Sequence, residues 1–181
     1  AEIARRLTAL VPENAMATAT VLALDPYTGE LRYTSAGHPP SLLLDGVSGE
    51  VTRLDKAPAP PLGWTETRWI REARLTLRSR MTLLAYTDGL VERRGLAIDD
   101  GIARAADALR LRPERGAEDT ADALLETFVQ PSAASDDVAL FVAGCALKSP
   151  PKREDVGKEA LPNLQAPEKW VEPAAAGAVR A

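Results

Sequence analysis

The first half of the chain has the pattern of strands, and the second half has that of two helices followed by one more strand. Segments of strand length, apolar or alternating, are separated by turn residues such as Asp25, Pro26 and Gly29. The predicted strands of the first half are residues 17–24, 31–36, 41–44, 50–54, 68–77 and 81–87. Residues 56–63 (KAPAPPLG) are rich in proline, which has no N–H to donate to a sheet, so we predict a loop there.

Apolar residues recur at helical spacing in three segments, which we predict as helices. Residues 1–10 have the spacing of the last turns of a helix, and residues 99–111 and 117–129 that of two further helices. The inward-facing positions predicted in the second and third helices are Ile102, Ala105, Ala106, Leu109, Ala121, Leu124, Leu125 and Phe128. Asp99 or Asp100 is the predicted N-cap of the second helix, because a carboxylate accepts hydrogen bonds from the free N–H groups there.

Hairpin-linked strands, two helices and a final strand at residues 138–143 predict an α+β fold with a largely antiparallel sheet. The final strand is predicted to return to the middle of the sheet, beside residues 81–87. The predicted folded domain is residues 1–147. Residues 148–181 are rich in proline, alanine and charge and lack apolar periodicity, so we predict a disordered tail.

Two aspartates stand at the ends of two predicted strands. Asp88, followed by Gly89, comes directly after the strand at residues 81–87, which is apolar enough to be buried on both faces. Asp136 comes shortly before the final strand. If these two strands run antiparallel side by side, the end of one lies beside the start of the other. Asp88 and Asp136 would then meet at one edge of the sheet.

The composition is that of an ordinary globular domain. The 181 residues are enough for one domain with a proper core, and 45% of them are hydrophobic and 27% charged. The net charge of −4 provides no general basic surface, which argues against a nucleic-acid partner. The single cysteine, Cys145, forms no internal disulfide, and no apolar run reaches the ~20 residues of a membrane span. No signal peptide is visible, so we expect a cytoplasmic protein.

The two carboxylates suit a metal site. Mg²⁺ and Mn²⁺ prefer oxygen ligands, carboxylate and water sites accept both ions, and a pair of such ions can direct a water at a phosphate. The chain has one histidine, His38, and no G-x-S-x-G motif, so the usual nucleophilic alternatives are not indicated. The alternative is that Asp88-Gly89 is only a turn and that Asp136 only precedes a strand.

Five motifs resemble those of the PPM-type (type 2C, metal-dependent) protein serine/threonine phosphatases, in the bacterial SpoIIE/RsbU-like branch. The motifs are ATATVLALD (residues 17–25), YTSAGHPP (33–40), PLG (61–63), LAYTDGLVE (84–92) and SDDVALFV (135–142). Their order and spacing match the branch. Together they cover about residues 1–147.

The resemblance implies a fold, a metal centre and a reaction. The fold is a sandwich of two β-sheets flanked by helices. The centre is binuclear and holds Mn²⁺ or Mg²⁺, with Asp88 and Asp136 as ligands. Gly89 and Asp137 contribute through backbone groups or through hydrogen bonds that support the ligands. No side chain is the nucleophile, because a metal-bound water attacks phosphoserine or phosphothreonine.

The resemblance also implies partners. The substrate in this branch is typically a small phosphorylated anti-sigma-factor antagonist. Its dephosphorylation releases a stress or developmental programme. Upstream sensor domains of the PAS or GAF kind are common in such proteins.

One part of the family pattern is missing from the chain. The family's other metal-binding acid lies in an Asp-Gly motif, accompanied by Gly-His-Gly, N-terminal to the first helix found here. We therefore expect the chain to be the second half of a catalytic domain, with half of the ligand set, an incomplete sheet and no turnover by itself. Two functions stay open: a phosphatase that is active with the upstream half attached, or a catalytically incomplete module that binds a regulatory partner.

Several other residues receive structural roles. His38 is predicted to pack or form hydrogen bonds rather than bind metal, and Cys145 to be a small buried hydrophobe. Trp64 and Trp69 are predicted to cover the edge of the core. Arg93 and Arg94 are predicted to lie on a solvated face, and Glu92 is predicted to be solvated or to support the metal ligands rather than to bind the metal itself. The alternative role for the two arginines is to bind a phosphorylated partner next to the site.

Overall fold

The computed structural model describes residues 1–64, 70–111, 116–128 and 137–147 of the chain. Residues 1–148 form one compact unit. The tail predicted at residues 148–181 lies outside the described residues and stays a prediction. None of the helices in the described ranges has both the length and the apolar character needed to cross a membrane.

The described residues form three α-helices and eight β-strands, in the order predicted from the hydrophobic pattern. The helices are α1 (Glu2–Thr8), α2 (Ile98–Arg110) and α3 (Ala117–Phe128). The strands are β1 (Ala19–Leu24), β2 (Glu30–Ala36), β3 (Leu42–Asp45), β4 (Val51–Arg53), β5 (Pro58–Ala59), β6 (Ala73–Thr76), β7 (Met81–Tyr86) and β8 (Leu140–Gly144). This is the predicted α+β fold, although it places the strands in two sheets.

Each sheet has four strands, and nearly all neighbours are antiparallel. In sheet 1, β2 pairs with β1 along one edge, and β6 and the short β5 share its other edge. In sheet 2 the order is β4, β3, β7 and β8, all antiparallel. The order confirms that the last strand lies beside β7. It corrects the expectation that β8 is in the middle, because β8 is an edge strand among the described residues.

The two sheets pack face to face, and helices cover their outer faces. Leu31 and Tyr33 of sheet 1 are buried in one cluster with Leu43 and Leu83 of sheet 2. The next residue along β7, Leu84, points to the other face of its sheet, where it packs with α2 and α3. Helix α1 covers the outer face of sheet 1. The predicted sandwich and the burial of β7 on both faces are therefore confirmed.

The proline-rich segment was predicted as a loop, but it contains the two-residue strand β5. Its pairing needs no donor from proline, because the carbonyl groups of Ala57 and Ala59 accept the N–H groups of Ser35 and Gly37, at 3.1 and 2.8 Å. Proline is compatible with such an edge strand.

Both later helices differ from the prediction in detail. Helix α2 begins at Ile98 with Ala97 as N-cap and no side-chain cap, so the predicted Asp caps are wrong. The carboxylate of Asp99 instead forms an ion pair with Arg53 of β4, at 3.0 Å. In α3 the buried residues are Thr120, Ala123, Leu124 and Phe128, whereas Ala121 and Leu125 are half-buried. Helix α3 packs against both α2 and β8.

Candidate metal site at the end of β7

The carboxylate of Asp88 is presented on a rigid turn at the end of β7. Asp88 begins a 3-10 turn, Asp88–Leu90, and its side chain is exposed while Gly89 is buried. The carboxylate Oδ1 accepts the N–H of Gly89 at 3.0 Å. The carbonyl of Asp88 accepts the N–H groups of Val91 and Glu92, at 2.8 and 2.7 Å. An acid held in this way keeps one orientation without losing access to a ligand.

The chain enters β8 directly beside this turn. The N–H of Thr87 donates to the carbonyl of Ala139 at 2.9 Å. The Thr87 hydroxyl donates to the carbonyl of Asp137 at 3.1 Å and accepts the N–H of Ala139 at 2.9 Å. The antiparallel geometry predicted for the two strands is therefore present. Asp136, one residue earlier, lies outside the described residues, so its meeting with Asp88 stays a prediction.

The start of α2 packs against the buried side of this turn. Leu90 and Val91 are completely or almost completely buried. Gly101 of α2 lies so near the Val91 carbonyl that a Cβ at position 101 would be 1.9 Å from its oxygen. Glycine is needed here because the helix backbone contacts the turn directly.

Gly101→Ala is expected to destabilise the fold by about 1–3 kcal/mol, although alanine is the better helix former by about 1 kcal/mol. The added methyl would force α2 away from Val91. Denaturant unfolding measures the change. Gly116→Ala is the control, since nothing lies within 4 Å of a Cβ at that position. Equal or greater stability of Gly101→Ala would contradict this packing.

Arg93 lies against this turn and does not belong to a solvated face, which corrects the prediction. Its side chain is half-buried, and its guanidinium donates to the carbonyl oxygens of Gly89, Glu92 and Phe128. The sequence contained only one hint of this role, an arginine four residues after Gly89. Arg94 and Glu92 are exposed, as predicted.

The predictions for His38, Cys145 and the two tryptophans can be compared with the contacts of these residues. The Nδ1 atom of His38 is 3.1 Å from the hydroxyl of Thr18, which fits the predicted hydrogen-bonding role. Cys145 is half-buried against the core between the sheets, and burial raises the pKa of its thiol. Trp64 is 62% exposed, so the prediction that it covers the core edge is wrong. Trp69 lies outside the described residues.

The donor chemistry at this edge suits a hard divalent cation, but the described residues supply only part of a site. Asp88 offers a fixed carboxylate, the kind of ligand that Mn²⁺ and Mg²⁺ prefer. Within the described ranges, no group of three or more His, Cys, Asp or Glu side chains is placed to hold a metal ion. The Asp88 carboxylate can therefore supply one oxygen ligand to such a cation.

Comparison with known proteins assigns the chain to a family. Residues 1–145 match the family described as Stage II sporulation protein E (SpoIIE). The chain belongs to the SpoIIE family. The match covers most of the 181 residues and both sheets, together with α1, α2 and α3.

Solved structures with a similar fold include members of this family. The RsbU and RsbW domains of Rv1364c from Mycobacterium tuberculosis are 31% identical, with a TM-score of 0.58 and coverage of 74% of this chain and 38% of theirs. The phosphatase domain of SpoIIE from Bacillus subtilis (Mn presoaked) is 14% identical, with a TM-score of 0.59 and coverage of 75% and 59%. The SiaA-PP2C domain of Pseudomonas aeruginosa is 22% identical, with a TM-score of 0.58 and coverage of 70% and 51%.

These similarities establish the fold of this SpoIIE-family chain. The chain spans 38%, 59% and 51% of the three solved chains. The second and third solved structures, named as a phosphatase domain and a PP2C domain, share 14% and 22% identity with this chain and show a shared fold only.

Proposed function

We propose that the polypeptide containing this chain is a metal-dependent protein serine/threonine phosphatase of the SpoIIE/RsbU type. One observation carries the proposal: an exposed, rigidly held Asp88 at the end of β7, directly beside the chain that enters β8. Membership of the SpoIIE family and the fold shared with phosphatase domains support it.

Asp88 and Asp136 are the residues proposed to hold Mn²⁺ or Mg²⁺, as two ligands of a binuclear centre whose other ligands lie outside this chain. The preparation of the Bacillus subtilis domain presoaked with Mn supports this choice of ion. Such ions lower the pKa of water and stabilise charge that develops on a phosphoryl group. In this chain, the Gly89 N–H orients the Asp88 carboxylate, and Thr87 fixes β7 to the start of β8.

The proposed substrate is a phosphorylated regulatory protein, of the type represented by anti-sigma-factor antagonists. This part of the proposal rests on the RsbU-like motifs and on the 31% identity to a chain that contains an RsbU domain. We further propose that the protein acts in the cytoplasm and that a sensor domain of the same protein controls it. Signal transduction to a sigma factor would then be its role.

The test uses the longest natural polypeptide that contains residues 1–181. We expect phosphate release from a phosphoserine protein in Mn²⁺ or Mg²⁺, its loss in EDTA and its return when metal is added back. Phosphate release that EDTA does not change would contradict a metal-dependent mechanism. Tight binding of the phosphoprotein without any phosphate release in either metal would instead indicate the regulatory binding module.

A further inference from the structure

We infer that Arg93 is a positioning residue for Asp88, which joins the turn Asp88–Leu90 to α3. The inference rests on the proposed function, since it assigns a role toward the proposed metal ligand Asp88. The half-buried Arg93 acts through the backbone rather than on the substrate.

The guanidinium of Arg93 donates to three backbone carbonyl groups. Its Nη1 atom donates to the carbonyl oxygens of Gly89 and Glu92, at 3.2 and 2.9 Å, and its Nη2 atom donates to that of Phe128. A planar fork of donors can contact several oxygens at fixed angles. The side chain therefore links two separate segments of the chain at one point.

On one side, Arg93 acts on the Asp88 carboxylate through a single residue, Gly89. The Gly89 carbonyl accepts from Arg93, and the Gly89 N–H donates to Asp88 Oδ1 at 3.0 Å. The residue that orients the carboxylate is thus itself oriented by the guanidinium. A small rotation of Gly89 would move its N–H away from the carboxylate.

On the other side, Arg93 donates to the carbonyl of Phe128, the last described residue of α3. The guanidinium of Arg104 lies 5.5 Å from the centre of the Phe128 ring. Arg93 therefore links the turn after β7 to α3, 35 positions away in the sequence.

Lysine at position 93 is the sharpest test, because it keeps the charge but not the fork. An ammonium group is a point donor and does not reproduce bonds to two segments with the same geometry. Arg94→Lys makes the same chemical change at the exposed neighbouring position and is the matched control.

The experiment measures two properties of the longest natural polypeptide that contains this chain. The first is amide hydrogen exchange at Val91 and Glu92, whose N–H groups bond to the Asp88 carbonyl. The second is Mn²⁺ affinity by calorimetry. For Arg93→Lys we expect exchange about tenfold faster at both amides and Mn²⁺ affinity about 10–100-fold weaker. For Arg94→Lys we expect neither to change.

Two results would overturn the inference. Equal exchange and equal Mn²⁺ affinity in the two lysine variants would show that Arg93 holds neither the turn nor the Asp88 carboxylate. Faster exchange with unchanged Mn²⁺ affinity would reduce Arg93 to a residue of structural importance only. If the unsubstituted protein binds no Mn²⁺, the proposed function fails, and faster exchange in Arg93→Lys would still support the placement of the turn by Arg93.

Discussion

Asp88→Asn is expected to lower the rate of metal-dependent phosphate release about a hundredfold or more while the protein stays folded. Asparagine has nearly the same shape, and its carbonyl oxygen can still accept the Gly89 N–H that the carboxylate accepts at 3.0 Å. The free energy of unfolding should therefore change by less than about 0.5 kcal/mol. What is lost is the negative charge, which strengthens the binding of a divalent cation over that of a neutral amide oxygen.

The control for this variant is Asp107→Asn. Asp107 is also exposed, and it pairs with Arg110, which donates to the carbonyl of Gly49 in the turn beside the start of β7 rather than its end. We expect its rate of phosphate release to match that of the unsubstituted protein. A similar loss in both variants would point to a general effect of charge, and full activity of Asp88→Asn would remove Asp88 from the site.

Leu84→Ala is expected to destabilise the protein by about 2–5 kcal/mol. Leu84 is 0% exposed and lies in β7, with Leu42, Leu90 and Leu109 in the same buried cluster. Leu42 belongs to β3, Leu90 to the turn Asp88–Leu90, and Leu109 to α2. Because they are fixed in three different elements, they cannot all move into the space that the smaller side chain leaves. The cost therefore includes a cavity as well as the lost burial of the side chain.

Denaturant unfolding measures this change, with Leu111→Ala as the control. Leu111 is 80% exposed at the end of α2, and the same chemical change there should alter the free energy of unfolding by less than about 0.5 kcal/mol. Equal effects of the two substitutions would contradict the packing of sheet 2 against α2 and α3.

The strands and turns could be predicted because their signals are local. At Asp25 the carboxylate accepts the N–H groups of Tyr27 and Thr28, at 2.8 and 3.2 Å, and Gly29 follows with a φ of 76°. These backbone hydrogen bonds hold the pKa of Asp25 below its ordinary value. The turn at Asp45 is built in the same way. Turn residues of this kind are visible in the sequence without knowledge of the fold.

The features that the sequence did not reveal depend on contacts between distant segments. The role of Arg93 depends on Phe128, 35 positions away, which no local pattern brings near it. Asp99 lies inside the first turn of α2 and forms an ion pair with Arg53, a residue 46 positions earlier in the chain. The pairing of β5 depends on the N–H groups of Ser35 and Gly37 at the end of β2, which donate to its carbonyl groups. In each case, tertiary contacts determined what local propensity left open.

The position of Asp88 could be predicted from the sequence, but the contacts that support it could not. A buried strand that ends at Asp-Gly is a local signal, and the antiparallel return of β8 follows from the order of the elements. The packing of α2 under the turn Asp88–Leu90 was not predictable, because a glycine inside a helix does not show in the sequence which residue it contacts. Only the structure shows that Gly101 contacts the Val91 carbonyl.

The most direct test of the central claim is a calorimetric titration of Mn²⁺ into the longest natural polypeptide that contains this chain. It should be run beside the single variants Asp88→Asn and Asp136→Asn. We predict saturable binding by the unsubstituted protein and its loss in each variant, which would assign both acids to the metal site. Affinity equal to that of the unsubstituted protein in either variant would contradict the claim that the ends of β7 and β8 form that site.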